Sequence, residues 1–114
     1  MAVAIPKRGD IAWADASPTH GKEQYGDRPH LVITNSRFHL AYQLAIVVPA
    51  TTAGVRGRKV LPTWIPSADG SGHYMVEQVR AMSLERIRRI SGSEPDAVPA
   101  VVNIMNRLTT EGDP

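Results

Sequence analysis

Residues 44–48, LAIVV, are the most apolar segment of the chain and constrain its fold more than any other. Five apolar residues without alternation indicate a strand that is buried on both faces, near the centre of a sheet. Pro49 follows directly. Because proline has no amide hydrogen to give to a sheet, we expect the strand to end there. The rest of the chain must supply neighbours for this central strand.

Shorter segments on both sides have strand character as well. Alternating or clustered apolar residues, bounded by glycine, proline, asparagine and serine, predict further strands at 9–15, 29–35, 59–65, 73–81 and 86–90. Short helical turns are expected at 36–40, capped by Ser36, and at 83–85. Five or six short strands at close spacing favour a small, strongly twisted antiparallel barrel.

The C-terminal segment changes its periodicity from that of a strand to that of a helix. Apolar residues recur at spacings of three and four, which predicts a helix with one apolar stripe formed by Val98, Val101, Val102, Met105 and Leu108. Asp96 is the expected N-cap, and Gly112 is the expected stop. We expect the stripe to pack against the sheet. The 114 residues then form one domain, 1–114, with its core at about 7–110.

Composition excludes several kinds of site. The chain has no cysteine, so disulfides, thiol nucleophiles and cysteine-ligated zinc are excluded. The four histidines lack metal-binding spacing, and phosphate-binding glycine motifs are absent. We therefore expect no metal and no cofactor. The sequence has no apolar run long enough for a signal peptide or membrane span, so we expect a cytoplasmic protein with no membrane contact.

The charged residues leave two interpretations open. The formal net charge is only +2, but basic residues cluster at 56–59 and at 86–89. Such clusters can follow a phosphate backbone, and they are equally typical of an ordinary solvated surface.

A second polar group has more specific chemistry. Glu23 and Arg28 lie in a glycine-bracketed loop, and Thr51 follows the central strand. Arginine binds phosphate through a planar fork, a threonine hydroxyl can donate to a phosphate oxygen, and a carboxylate can accept a proton. RNA carries its own nucleophile, the 2′-hydroxyl, so this set suffices for phosphodiester cleavage. A structural interpretation remains open, in which Arg28 pairs with Glu23 or Asp27 and Thr51 bonds to the backbone.

Four sequence blocks resemble the MazF/PemK family of toxin endoribonucleases of type II toxin–antitoxin systems. They are RGDI with a following Trp13 at 8–13, PTHGKEQYGDRP at 18–29, VPATT at 48–52 and EQVRAM at 77–82. The resemblance implies a mainly β fold, the small SH3-like or CcdB-like twisted antiparallel barrel with a C-terminal helix. It also implies a homodimeric, metal-independent and ribosome-independent enzyme that cuts single-stranded mRNA at short sequences, leaving a 2′,3′-cyclic phosphate and a 5′-hydroxyl.

By position in these blocks, the resemblance implies three catalytic residues. Arg28 would stabilise the pentacoordinate phosphate and protonate the leaving 5′-oxygen, Thr51 would orient a non-bridging oxygen, and Glu23 would assist deprotonation of the 2′-hydroxyl or position Arg28. The expected RNA-binding residues are Gln24, Tyr25, Thr52, Arg56, Arg58, Lys59 and Gln78. Trp64 is a further candidate for stacking on a base, with a core or edge role as the alternative.

The resemblance also implies partners. A cognate antitoxin would block the RNA groove with a flexible acidic C-terminal segment, and DNA would be contacted only through the toxin–antitoxin complex. Two other functions remain open: a non-cleaving CcdB-like toxin that poisons a protein such as gyrase, and an inactive relative that only binds RNA or antitoxin. The loops at 53–59 and 67–73 match no shared motif, so the recognised RNA sequence does not transfer.

Overall fold

The computed structural model describes residues 5–15 and 26–114, which form a mainly β fold with a C-terminal helix, as the sequence predicts. The strands are β1 Asp10–Asp15, β2 Asp27–Val32, β3 Leu44–Thr51, β4 Trp64–Pro66, β5 His73–Met75, β6 Arg80–Ser83 and β7 Ile87–Ser93. The helices are α1 Ser36–Tyr42 and α2 Ala97–Thr110. Single 3-10 turns, Val76–Gln78 and Leu84–Arg86, flank β6.

Strand β3 lies at the centre of the sheet, which confirms the prediction from its apolar run. It pairs with β2 on one side, and with β6 and then β5 on the other, always antiparallel. The sheet order is β4-β5-β3-β2-β1-β7, with β6 also on β3. Within the described residues no pairing joins β4 to β7, so the twisted antiparallel sheet is not closed.

Pro49 does not end the central strand, and that prediction was wrong. Strand β3 continues to Thr51. Its pairing with β6 covers Leu44 to Val47, and its pairing with β5 begins only at Ala50. Pro49 therefore lies where β3 changes partners on that side, and its missing amide hydrogen interrupts neither ladder.

Two other predicted strands are interrupted. The strand at 59–65 shrinks to β4, because Pro62 lies in a turn that Trp64 N–H closes on the Leu61 carbonyl at 3.0 Å. The strand at 73–81 is split into β5 and β6 by the 3-10 turn Val76–Gln78. Both halves pair with β3 at successive positions, so the chain bends between them. The last strand, β7, extends to Ser93, past its predicted end at 90.

The predicted helix caps are partly wrong. Asn35, and not Ser36, caps α1, because its side chain accepts from Phe38 N–H at 2.9 Å. Asp96 occupies the N-cap of α2 but makes no capping hydrogen bond through its side chain. The apolar stripe is also narrower than predicted, since Val102 and Leu108 are exposed.

Two apolar clusters form the core. One lies between β1, β3, β6 and β7, with Val47 and Met82 among its buried residues. The other lies under α2 and contains Leu31, Val48 and Val101. Within residues 5–15 and 26–114, no helix is long and apolar enough to cross a lipid bilayer.

A buried chain of hydrogen bonds fixes α1 to the N-terminal segment and to β3. His39 Nδ1 lies 2.7 Å from the Pro6 carbonyl, and Nε2 lies 2.7 Å from Thr34 Oγ1. Because a carbonyl only accepts, Nδ1 carries the proton and the Thr34 hydroxyl donates to Nε2. Thr34 Oγ1 in turn accepts from Ile46 N–H at 3.0 Å. Every polar group in this buried chain therefore has a partner.

We expect Thr34→Val to lower the free energy of unfolding by about 1–3 kcal/mol, because it leaves the Ile46 N–H and His39 Nε2 without partners. Urea denaturation followed by circular dichroism measures this. Thr109→Val is the control, since its exposed hydroxyl bonds only to carbonyls of its own helix. Equal losses in both variants would contradict a role for the buried chain.

Candidate functional site

Strands β2 and β3 bring Arg28 and Thr51 to the same level of the sheet. The paired register ends with His30 opposite Pro49, and Arg28 and Thr51 each lie two residues beyond that pair on their own strands. The sequence predicts that Arg28 lies in the loop before β2. In the structure it lies on β2 itself. Its Nη1 donates to the Ala50 carbonyl at 3.2 Å, so the guanidinium is held beside the end of β3.

The end of β3 is fixed from two sides. Thr51 Oγ1 accepts from Ala53 N–H at 3.1 Å, the backbone contact that the structural interpretation foresaw. The oxygen accepts in this bond, so the hydroxyl can still donate its own hydrogen. On the other side, Gly72 packs against the Thr51 carbonyl, where an added Cβ would come within 2.3 Å of the oxygen. Only glycine fits this approach without displacement.

A cleft of about 650 Å³ opens over these residues. Four predicted site residues line it, namely Arg28, Thr51, Thr52 and Arg56. Such a volume is within the usual range for small-ligand sites. The cleft thus brings together a guanidinium, a hydroxyl and a second cationic side chain, which is the donor set that a phosphodiester needs.

The cleft is also lined by Tyr74 and Glu94, which the sequence does not single out. Tyr74 donates its hydroxyl to Glu94 Oε1 at 2.8 Å, and the Ala68 N–H donates to the same carboxylate at 3.1 Å. Burial, together with the Glu94 carboxylate, raises the pKa of Tyr74, so the phenol stays a donor. No sequence signal marks this pair, because neither residue lies in one of the four family blocks.

His30 forms a hydrogen bond to the backbone of Arg28. It is fully buried, and its Nδ1 donates to the Arg28 carbonyl at 2.9 Å. Burial lowers its pKa from 6.5 to about 4, with a smaller contribution from the nearby Arg28 charge, so the ring is neutral near pH 7. The spacing of the four histidines in the sequence does not predict this burial.

The other predicted site residues are not among those that line the cleft within the described part of the chain. Glu23, Gln24 and Tyr25 are outside the described residues. Arg58 and Lys59 are exposed on the segment after β3, and neither they nor Gln78 are among the residues lining the cleft. Trp64 is half-buried and donates to Glu77, which supports its structural role.

The acidic residues near the cleft are engaged in protein contacts. Asp27 forms an ion pair with Arg88 at 3.1 Å. Nowhere in the described part of the chain do three histidine or carboxylate side chains converge in a way that could hold a metal ion.

Comparison with known proteins gives a consistent result. Residues 7–107 match the family model described as PemK-like, MazF-like toxin of type II toxin–antitoxin system. Endoribonuclease EndoA of Bacillus subtilis is 42% identical over 86 residues, covering 75% of this chain and 71% of that protein. Endoribonuclease PemK of Escherichia coli is 32% identical over 108 residues, covering 91% and 80%.

Solved structures agree on the fold. MazF of Deinococcus radiodurans superposes with a TM-score of 0.78 at 23% identity, covering 94% of this chain and 98% of that one. A mycobacterial endoribonuclease, solved in complex with its cognate antitoxin, superposes with a TM-score of 0.70 at 16% identity, covering 98% and 100%.

The lowered pKa of His30 predicts a pH dependence of stability. Between pH 6.5 and pH 4 the unfolded chain binds a proton at this position that the folded protein does not, so stability falls as pH falls. This group should contribute a loss of about 3 kcal/mol from pH 7 to pH 4. In His30→Asn, which can still donate to the Arg28 carbonyl, the slope should be shallower by about one proton. Urea denaturation at several pH values measures both slopes, and superimposable slopes would refute the assignment.

We expect Gly72→Ala to destabilise the protein by about 1–3 kcal/mol, because the new methyl group must displace either the end of β3 or the adjoining loop. Gly112→Ala is the matched control, since a Cβ there meets no atom within 4 Å. Urea denaturation compares the two. If the two alanine variants lose the same stability, the close approach at Thr51 does not matter.

Proposed function

Because this chain belongs to the family of PemK-like, MazF-like toxins of type II toxin–antitoxin systems, we propose that it is an endoribonuclease that cleaves single-stranded RNA. Relatives that are 32% and 42% identical are named endoribonucleases, which supports this activity. An RNA-cleaving toxin of this kind acts on mRNA, and therefore in the cytoplasm.

The convergence of Arg28 and Thr51 in one cleft carries the proposal. The guanidinium is fixed by its bond to Ala50, and the Thr51 hydroxyl lies at the end of the neighbouring strand. Donors that are fixed before the substrate arrives need no reorganisation when charge develops on the phosphate. A toxin that acts only by covering a protein target would gain nothing from such a pair.

The reaction follows from these groups. The 2′-hydroxyl oxygen attacks phosphorus while its proton passes to a base, for which Glu23 is the candidate. Arg28 stabilises the charge on the pentacoordinate phosphate, and Thr51 donates to a non-bridging oxygen. The bond to the 5′-oxygen breaks as that oxygen takes up a proton, for which Arg28 is the candidate donor. The products are a 2′,3′-cyclic phosphate and a 5′-hydroxyl, and we propose that no metal is needed.

The RNA backbone is proposed to leave the cleft along the segment that follows β3. Arg56 lines the cleft, and Arg58 and Lys59 are exposed farther along the same segment. Successive cations along one path suit a phosphate chain. Gln24, Tyr25, Thr52 and Gln78 remain proposed RNA contacts.

We further propose that the protein works as a homodimer and that a cognate antitoxin inhibits it. Structures of family members with cognate antitoxins support such a partner. A flexible acidic segment of the antitoxin would compete with RNA for the same cationic groups, here Arg28 and Arg56. Contact with DNA would occur only through the toxin–antitoxin complex.

We expect Arg28→Ala and Thr51→Ala each to lower cleavage by at least about 100-fold, the usual effect of removing one preorganised stabiliser of the transition state. Thr51→Ser should keep most activity because it keeps the hydroxyl. Mixed-sequence single-stranded RNA, incubated with protein in EDTA and resolved on a gel, measures this. Arg107→Ala, on the exposed face of α2, is the matched control for loss of an arginine.

Three outcomes would count against the proposal. An absence of cleavage in EDTA that added Mg²⁺ restores would refute metal independence. Unchanged cleavage by Arg28→Ala would refute the assigned mechanism. No cleavage of any RNA, together with binding of the protein to a purified protein target, would favour a non-cleaving toxin.

A further inference from the structure

His73 begins β5 in the wall of the cleft, yet the proposed reaction does not use it. Its main chain pairs directly with Thr51 in the antiparallel ladder between β5 and β3. Residues that lie opposite each other in such a ladder project from the same face, with their Cβ atoms about 4.5–5.5 Å apart. The imidazole is therefore a neighbour of the hydroxyl that is proposed to hold the scissile phosphate.

Packing fixes the orientation of this ring. One side faces Trp64, with ring centroids 5.8 Å apart and planes inclined by 44°. Gly54 lies so close that an added Cβ would come within 2.7 Å of His73 Cε1 and 2.8 Å of Nδ1. The ring is thus held between an aromatic side chain and a backbone that leaves no room for a methyl group.

The two ring nitrogens have different surroundings. Nδ1 is buried, and within the described residues it has no hydrogen-bond partner. A buried N–H without a partner is rarer and costlier than an unpartnered acceptor, so the proton of the neutral ring belongs on Nε2. Nε2 is not among the buried polar atoms that lack a partner, and His73 is one of the residues that line the cleft. An N–H donor is therefore available to a molecule bound there.

We propose, on the premise that the protein is a ribonuclease, that His73 Nε2–H donates a hydrogen bond to a non-bridging oxygen of the phosphate held by Arg28 and Thr51. A phosphodiester has two non-bridging oxygens, so Thr51 and His73 can each bind one while Arg28 supplies the charge. In this role His73 is a substrate-binding residue that transfers no proton. Its hydrogen bond would orient the phosphate, whereas the arginines supply the electrostatic attraction.

Three substitutions separate the roles of the two nitrogens. The amide nitrogen of Gln reaches roughly the position of Nε2, that of Asn reaches roughly the position of Nδ1, and Phe has neither. Relative to wild type, we expect His73→Gln to change RNA affinity by less than about 3-fold. His73→Asn and His73→Phe should each weaken it by about 10-fold or more, as expected for a lost hydrogen bond to a charged group.

Two assays measure these effects. Affinity is measured with a mixed-sequence pool of 2′-O-methyl RNA, which binds but has no 2′-hydroxyl to attack. Cleavage of unmodified RNA then gives kcat/KM and its pH profile, which should have the same shape for wild type and His73→Gln. Urea midpoints confirm that each variant is folded. If the Phe variant is unfolded, the comparison of Asn with Gln decides.

Each result is decisive. If His73→Gln is as impaired as His73→Asn, or if all variants bind like wild type, the donor role is refuted. A limb of the pH profile lost only in the Gln variant would show that His73 exchanges protons, which also refutes it. If the wild type binds the pool with the expected pattern but never cleaves RNA, the ribonuclease proposal fails while the phosphate contact stands.

Discussion

The antiparallel pairing of β3 with its neighbours is the constraint on which the site depends. One side of β3 is paired with β2, and the other is paired with β6 and then with β5. Thr51 pairs with His73, and Arg28 lies two residues beyond the last β2–β3 pair, so the three residues lie close together on three adjacent strands. A shift of one residue in either register would turn a strand's side chains to the opposite face and dismantle the group. The geometry of the site therefore depends on the correct pairing of β3 with its neighbouring strands.

The cleft is lined by side chains of both charges. Arg28 and Arg56 line it, and so do Asp69 and Glu94. Glu94 is engaged with Tyr74 and the Ala68 amide, which holds the loop beside it in place. A phosphate in the cleft would be attracted by the arginines and repelled by the carboxylates.

Sequence patterns predicted elements well where one local rule acted alone. A continuous apolar run identified the central strand, and apolar spacings of three and four identified the C-terminal helix; both elements form, although the strand continues past Pro49 to Thr51. Predictions failed where a distant contact decided the outcome. Pro49 is tolerated because β3 changes partners there, and the segment 73–81 bends because its two halves pair with successive parts of β3. Neither partner can be read from the local sequence.

The same division holds for the site. The motifs around Arg28 and Thr51 determined which residues to consider, because a guanidinium and a hydroxyl have fixed chemistry wherever they lie. The sequence also determined the strand-rich fold, since its apolar spacing suits little else. Only the tertiary structure decided that Arg28 lies on a strand, that Glu94 and Tyr74 line the same cleft, and that His30 is buried while His73 borders the cleft. The burial and hydrogen-bond partners of a histidine cannot be predicted from the local sequence, because they come from strands that are distant along the chain.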